Sequence, residues 1–271
     1  MAPRPRTRRI SFVAPILGGY EMSAAAAPAP HAKWRIIAIP GTPSRPHMWT
    51  RFMRLAPDDL DISAVNRAGY GGPMYGDERR TPVLSFDDQI AAIAPLIEKD
   101  ERPAVVVGVS YGGALALKAA LDFPDRVKGV VTVAALVTEP RGWVLGVLPA
   151  AEWPGIRSIL PAYLHNARAE VQGRRAQIAD VFGRLNELEA PVTIMHGDFD
   201  WLVAEQDAAY LRSCFAPDQD VVYQPVAGGT HYLELLNPRT VYAAVRDVIA
   251  RAEARTRAAA NDTKDTEETT T

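Results

Sequence analysis

A single cysteine, Cys214, is all the thiol this chain carries, so no internal disulfide can form, and neither a cysteine zinc site nor a CxxC redox pair can be built. No apolar run approaches the ~20 residues that span a bilayer, so membrane insertion is not expected. An excess of one charge sign is lacking too. Lys+Arg 30 against Asp+Glu 32 leaves a formal net charge of -2, and no basic cluster persists in the folded part, so no nucleic-acid partner is expected. Neither is binding to an anionic membrane. What remains is a soluble globular profile: 271 residues, 48% hydrophobic, enough for one large core or two modest ones. No internal repeat, metal motif or cofactor motif is present, and oligomeric state is not legible.

The two ends read differently from the middle. Residues 1–29 begin with Arg4, Arg6, Arg8 and Arg9, continue as "ISFVAPILGGY" and reach "SAAAAPAP", which imitates an export signal. Gly18, Gly19 and Glu21 interrupt that pattern, and the same residues form two short strands around a Gly-Gly turn. The hairpin, with a cytoplasmic protein, is the reading adopted; export is the alternative. Residues 253–271 offer almost nothing to bury, so a disordered tail is expected there.

Between the ends, strand and helix patterns alternate. "WRIIAIPG", "DISAVN", "PAVVVGV", "GVVTVAALV", "PVTIMHG" and "DVVYQPV" read as strands. "RPHMWTRFMRLA", "PVLSFDDQIAAIAPLIEKD", "ALALKAALDFP" and "PRTVYAAVRDVIARAEA" read as helices. Apolar strands alternating with helices imply an α/β fold with a mostly parallel twisted sheet, about eight strands including the hairpin, and helices on both faces. The core is expected over 30–140 and 190–252. Residues 141–189 break the alternation and are expected to form a small helical cap, in which Trp143 and Trp153 are candidates to line a substrate entrance.

In such sheets ligands sit at the carboxyl ends of strands. Ser110 lies at one, inside "GVSYG", a GxSxG pattern that follows a strand and opens a helix. Gly108 and Gly112 keep a sharp turn free of Cβ atoms there. The plain alternative is that Ser110 only caps the helix. A serine nucleophile needs a base, and that base a carboxylate. Of 5 histidines, His231 stands out, in the Gly-rich "PVAGGTHYLELLNP" loop between the last strand and the last helix. His196, before Gly197, is expected to shape a turn. For the acid, "HGDFDWLVA" offers Asp198 and Asp200; Asp200, next to apolar residues, suits burial beside an imidazole, Asp198 suits the turn, and Glu139 is the outside candidate. A developing oxyanion needs two aligned donors. The Tyr111 amide is one; in "PGTPS", where Pro43 has no N–H, Thr42 is the other.

The chain at this point resembles the α/β-hydrolase family over about residues 10 to 252. The order Ser110, Asp200, His231 is that family's order. "IIAIPGTP" looks like its oxyanion loop, "AVNRAGYGGP" like its Asp-Arg-Gly-x-Gly turn, and "HGDFDWLV" like its acid segment. Pro40, Asn66 and Ala204 depart from the usual histidine, aspartate and proline. The resemblance implies a cofactor-independent serine hydrolase acting on a small apolar ester, lactone or thioester. An acyltransferase, a carbon-carbon bond hydrolase, a perhydrolase or a non-catalytic ligand-binding protein on the same scaffold are the alternatives.

Overall fold

Strands that read as unbroken apolar runs must be covered on both faces. The computed structural model, which describes residues 7–55, 57–70, 84–138, 142 and 153–268, shows how. Its strands are β1 (Arg8–Ala14), β2 (Tyr20–Ala27), β3 (Trp34–Ile39), β4 (Leu60–Asn66), β5 (Ala104–Val109), β6 (Val127–Val133), β7 (Val192–Gly197) and β8 (Val221–Val226). Its helices are α1 (Thr50–Leu55), α2 (Phe86–Ile97), α3 (Tyr111–Asp122), α4 (Pro154–Ile159), α5 (Ala162–Gly183), α6 (Glu205–Ser213), α7 (Leu233–Leu236) and α8 (Pro238–Glu268).

The strands form one 8-stranded sheet in the order β1-β2-β4-β3-β5-β6-β7-β8. The β1–β2 and β2–β4 pairs are antiparallel, and every pair from β4 to β8 is parallel. Side chains alternate along each strand. Ile37, Ile39, Val106, Val130 and Ile194 therefore face one core, with Ile90 and Ile93 of α2 and Leu115 of α3. Ile36, Ala38, Val105, Val107, Val131 and Met195 face the other, with Phe52 of α1 and Val241, Val245 and Val248 of α8. Residues 8–27, whose composition imitates an export signal, are the sheet's antiparallel edge: β1 and β2 meet at a turn in which Leu17, Gly18 and Gly19 have φ of 50, 77 and 104.

The insertion between β6 and β7 contains α4 and α5. The buried residues of α5 are Asn166, Ala167, Glu170, Arg174, Ile178 and Val181, a single helical stripe that is half polar. It docks on the core through hydrogen bonds as much as through apolar contact. Helix α8 is buried at intervals as far as Ala252. The helix continues to Glu268. "ARTRAAAN" is rich in helix formers, and extending an existing helix needs no new nucleus. Among the described residues, no helix is long and apolar enough to cross a membrane.

Candidate active site

The β5–α3 junction is built on close backbone approach. A Cβ on Gly108 would lie 2.0 Å from the Gly112 carbonyl oxygen, and one on Gly112 would lie 2.5 Å from that of Ile39. Neither position can carry a side chain. The residue between the strand and the helix, Ser110, is bent into φ 54, ψ -122, a conformation that costs an L-residue of order 1–3 kcal/mol. The surroundings hold it there. Its N–H donates to Val133 O at 2.8 Å, and its carbonyl accepts from Gly113 N at 2.9 Å and Leu136 N at 3.1 Å. The Ser110 side chain makes no capping hydrogen bond to α3, so the plain capping role does not explain the serine.

The loops after β7 and β8 are pressed together in the same way. A Cβ on Gly197 would lie 2.3 Å from Gly229 O, and Phe199 N donates to that carbonyl at 2.9 Å. This stitching delivers Asp200 to His231. Asp200 Oδ2 lies 2.8 Å from His231 Nδ1, while Oδ1 accepts from the amides of Leu202 at 2.8 Å and Val203 at 2.9 Å. Both side chains are buried. Burial by itself would raise the Asp200 carboxyl. The hydrogen bond and charge of His231, with the two amides, outweigh it and hold Asp200 below the usual carboxylate range. Asp198, two residues earlier, is exposed in the turn.

The remaining sequence candidates divide. Thr42 and Tyr111 both belong to segments beside Ser110: Tyr111 opens α3, and a Cβ on Gly41, the residue before Thr42, would lie 2.9 Å from Ser110 Cβ. Trp153 is 74% exposed at the start of α4. Trp143 and Glu139 lie outside the described residues. Three features add to the sequence reading. His196, expected to shape a turn, is buried with Nε2 at 3.6 Å from Asp200 Oδ2, and burial depresses its pKa. Its spacing of four residues before Asp200 was the available signal. Glu234, in α7, is buried, its Oε2 has no hydrogen-bond partner, and burial pushes it up to about 8. Arg67, after β4, is buried in a network with Glu170 of α5. No cluster of three or more potential metal ligands occurs among the described residues.

A serine in a strained strand-to-helix turn, with an Asp–His pair at the exits of later strands, sits here on a mostly parallel sheet. The family model described as the alpha/beta hydrolase family matches residues 36–268. The chain belongs to the alpha/beta hydrolase family. The hydrolase is 25% identical over 217 residues to Lipase LipV of Mycobacterium tuberculosis, an alignment covering 79% of this chain and 78% of that protein. In three dimensions it is similar to a haloalkane dehalogenase from Bradyrhizobium elkani, with TM-score 0.69 and 18% identity, covering 92% of this chain and 100% of the other. It is also similar to a meta-cleavage product hydrolase from Pseudomonas fluorescens, with TM-score 0.68 and 17% identity, covering 90% and 98%. At such identities the two solved structures establish the shared fold of the hydrolase and nothing about its substrate.

Proposed function

We propose that this hydrolase cleaves a small apolar carboxylic ester, lactone or thioester through an acyl-enzyme on Ser110. The observation that carries the reading is the 2.8 Å contact between His231 Nδ1 and Asp200 Oδ2. Oδ1 accepts from two amide donors and Oδ2 faces Nδ1; because an ionised carboxylate only accepts, the tautomer that satisfies this contact has its proton on Nδ1. That tautomer leaves the Nε2 lone pair available as a base. In the proposed reaction Ser110 Oγ bonds to the acyl carbon as its proton passes to His231 Nε2. The carbonyl π electrons move onto the oxygen, where the amides of Thr42 and Tyr111 would hold the negative charge. Collapse expels the alcohol or thiol, protonated by His231, and water repeats the sequence to release the acid. The charge on Asp200 would stabilise the imidazolium in both halves. The lipase relative supports an ester as the bond cleaved.

The test is a fluorophosphonate label located by mass spectrometry, followed by turnover on esters graded by acyl length. Label on Ser110, and turnover lost in Ser110→Ala, is the expected result. A wild-type protein that turns over esters with the label on another serine overturns the nucleophile assignment. Failure to turn over any ester, with no label taken up, favours the ligand-binding alternative.

A further inference from the structure

Arg67 is 4% exposed, and its guanidinium joins the loop after β3, helix α2 and helix α5. Nη2 donates to Gly41 O at 2.9 Å and to Glu170 Oε2 at 3.1 Å; Nη1 donates to Glu170 Oε1 at 2.6 Å and to Gln89 Oε1 at 2.9 Å. The pair is a two-pronged Arg–carboxylate contact. Glu170 Oε2 also accepts the Tyr70 hydroxyl at 2.6 Å. Because that proton is directed to Glu170, the 2.6 Å contact between Thr42 Oγ1 and Tyr70 Oη is donated by Thr42. On the other side, Gln89 Nε2 donates to Tyr111 Oη at 3.1 Å. The rings of Tyr70 and Tyr111 lie with their centroids 4.4 and 5.0 Å from the Arg67 guanidinium carbon. Burial alone would lower the Arg67 pKa, and Glu170 more than reverses this, so the guanidinium stays charged.

This network holds the peptide that carries the Thr42 amide and packs against the Tyr111 side chain. The Gly41 carbonyl and the Thr42 N–H belong to one trans peptide, so they point in opposite directions. Fixing Gly41 O on Arg67 therefore fixes the direction in which the Thr42 N–H points, and the Thr42 side chain is tied to the same cluster through Tyr70. Gly41 is also the residue whose absent Cβ would fall 2.9 Å from Ser110 Cβ, so the peptide being aimed lies against the nucleophile. Tyr111 is held at its ring face by Arg67 and at its hydroxyl by Gln89. A buried ion pair is weak evidence for stability, since removing two charges from water offsets most of their attraction. A role in alignment gives it another reason to exist.

We propose that Arg67 and Glu170 are positioning residues that aim the Thr42 amide at the developing oxyanion. The inference rests on the acyl-enzyme reading above. It also makes α5 part of the catalytic geometry, because Glu170 belongs to α5 and the same helix donates from Asn166 Nδ2 to Gly69 O at 3.0 Å.

The experiment compares wild type, Arg67→Lys, and the double variant Arg67→Met with Glu170→Met. Lysine keeps the charge beside Glu170 but, as a point donor, cannot hold Gly41, Gln89 and both carboxylate oxygens together. The double variant removes both charges at once and leaves neither buried alone. Each protein is assayed for kcat and KM on p-nitrophenyl butyrate, for inhibition by an aryl trifluoromethyl ketone, and for melting temperature. The ketone adds Ser110 Oγ to its carbonyl carbon, the proton goes to His231, and the oxygen becomes an oxyanion, so its affinity reports the same two donors without turnover. Loss of a whole donor costs about 10²- to 10³-fold, so a mis-aimed one should lower kcat by about 10- to 100-fold. Ketone affinity should fall by a similar factor, while KM stays within about threefold and the variants remain folded. Wild-type kcat and ketone affinity in either folded variant overturns the proposal. Loss of the fold in both variants overturns it as well, the pair then being a requirement of folding. A wild-type protein inert to ester, ketone and fluorophosphonate alike sinks the acyl-enzyme reading itself, a result distinct from either.

Discussion

Replacing Asp200 with asparagine should cripple the enzyme through a single proton. Oδ1 of Asp200 accepts from the amides of Leu202 at 2.8 Å and Val203 at 2.9 Å, and Oδ2 faces His231 Nδ1 at 2.8 Å. In Asp200→Asn the amide oxygen must take the Oδ1 place, because the NH2 group cannot face two backbone donors. The NH2 group is then pointed at Nδ1, which can satisfy it only by accepting. The imidazole proton moves to Nε2, the atom that receives the serine proton in the proposed reaction. Rotating the amide would relieve the histidine only by leaving two N–H groups opposed to a third donor. The loss expected from a wrong tautomer is about 10⁴-fold in kcat, equivalent to about 5 kcal/mol of transition-state stabilisation. The fold should survive, since the backbone hydrogen bonds persist. Asp198→Asn, at an exposed turn position, should stay within about twofold of wild type. Both variants are assayed at neutral pH on one ester, and Asp200→Asn is combined with His231→Ala. The double variant should be little worse than His231→Ala alone, because the two residues act as one unit. Asp200→Asn retaining more than about a tenth of wild-type kcat, or Asp198→Asn showing the larger loss, refutes the reasoning.

Ser110→Gly should abolish turnover yet be about 1 kcal/mol more stable than Ser110→Ala in urea unfolding, since φ 54, ψ -122 strains alanine and suits glycine; equal stabilities would remove strain from the argument. Glu234 is a carboxyl raised to about 8 in the folded protein from 4.5. The native state therefore binds more protons than the unfolded chain across that interval, so its contribution to stability falls as pH rises from 4.5 to about 8 and levels off above. Glu234→Gln should lack this decline, gaining on wild type between pH ~5 and ~9 in urea titrations; a difference between the two proteins that is constant with pH counts against it. Trp153→Ala, at a residue 74% exposed, should change stability by less than about 0.5 kcal/mol while altering acyl chain-length preference more than acetate turnover; uniform losses on all esters would place Trp153 outside substrate contact.

Helix α5 and the Arg67 cluster show where sequence reading stops. An amphipathic helix announces itself by an apolar stripe, but the buried stripe of α5 includes Asn166, Glu170 and Arg174. Those residues are buried because partners elsewhere complete them. Arg174 donates to Thr138 O, and Glu170 meets an arginine 103 positions away. His196 likewise reads as a turn histidine until the chain brings its ring against Asp200. The Arg67–Glu170 contact, across 103 positions, has no local signature. Exposure separates Asp198 from Asp200 more sharply than their neighbours in sequence do.

The amino-acid sequence by itself determined what depends on near neighbours. Apolar runs in β3, β5, β6 and β7 required a sheet covered on both faces, and glycines around Ser110 permitted one sharp strand-to-helix turn. The order of Ser110, Asp200 and His231 resembled one family. Only the tertiary structure decided which groups meet: the Asp200–His231 contact made by the pressed loops of Gly197 and Gly229, the continuation of α8, and the Arg67–Glu170 pair under Gly41. The physical reason is that backbone preference and hydrophobic periodicity act within a few residues of the chain. A buried charge or a fixed tautomer is determined by whatever the fold packs against it.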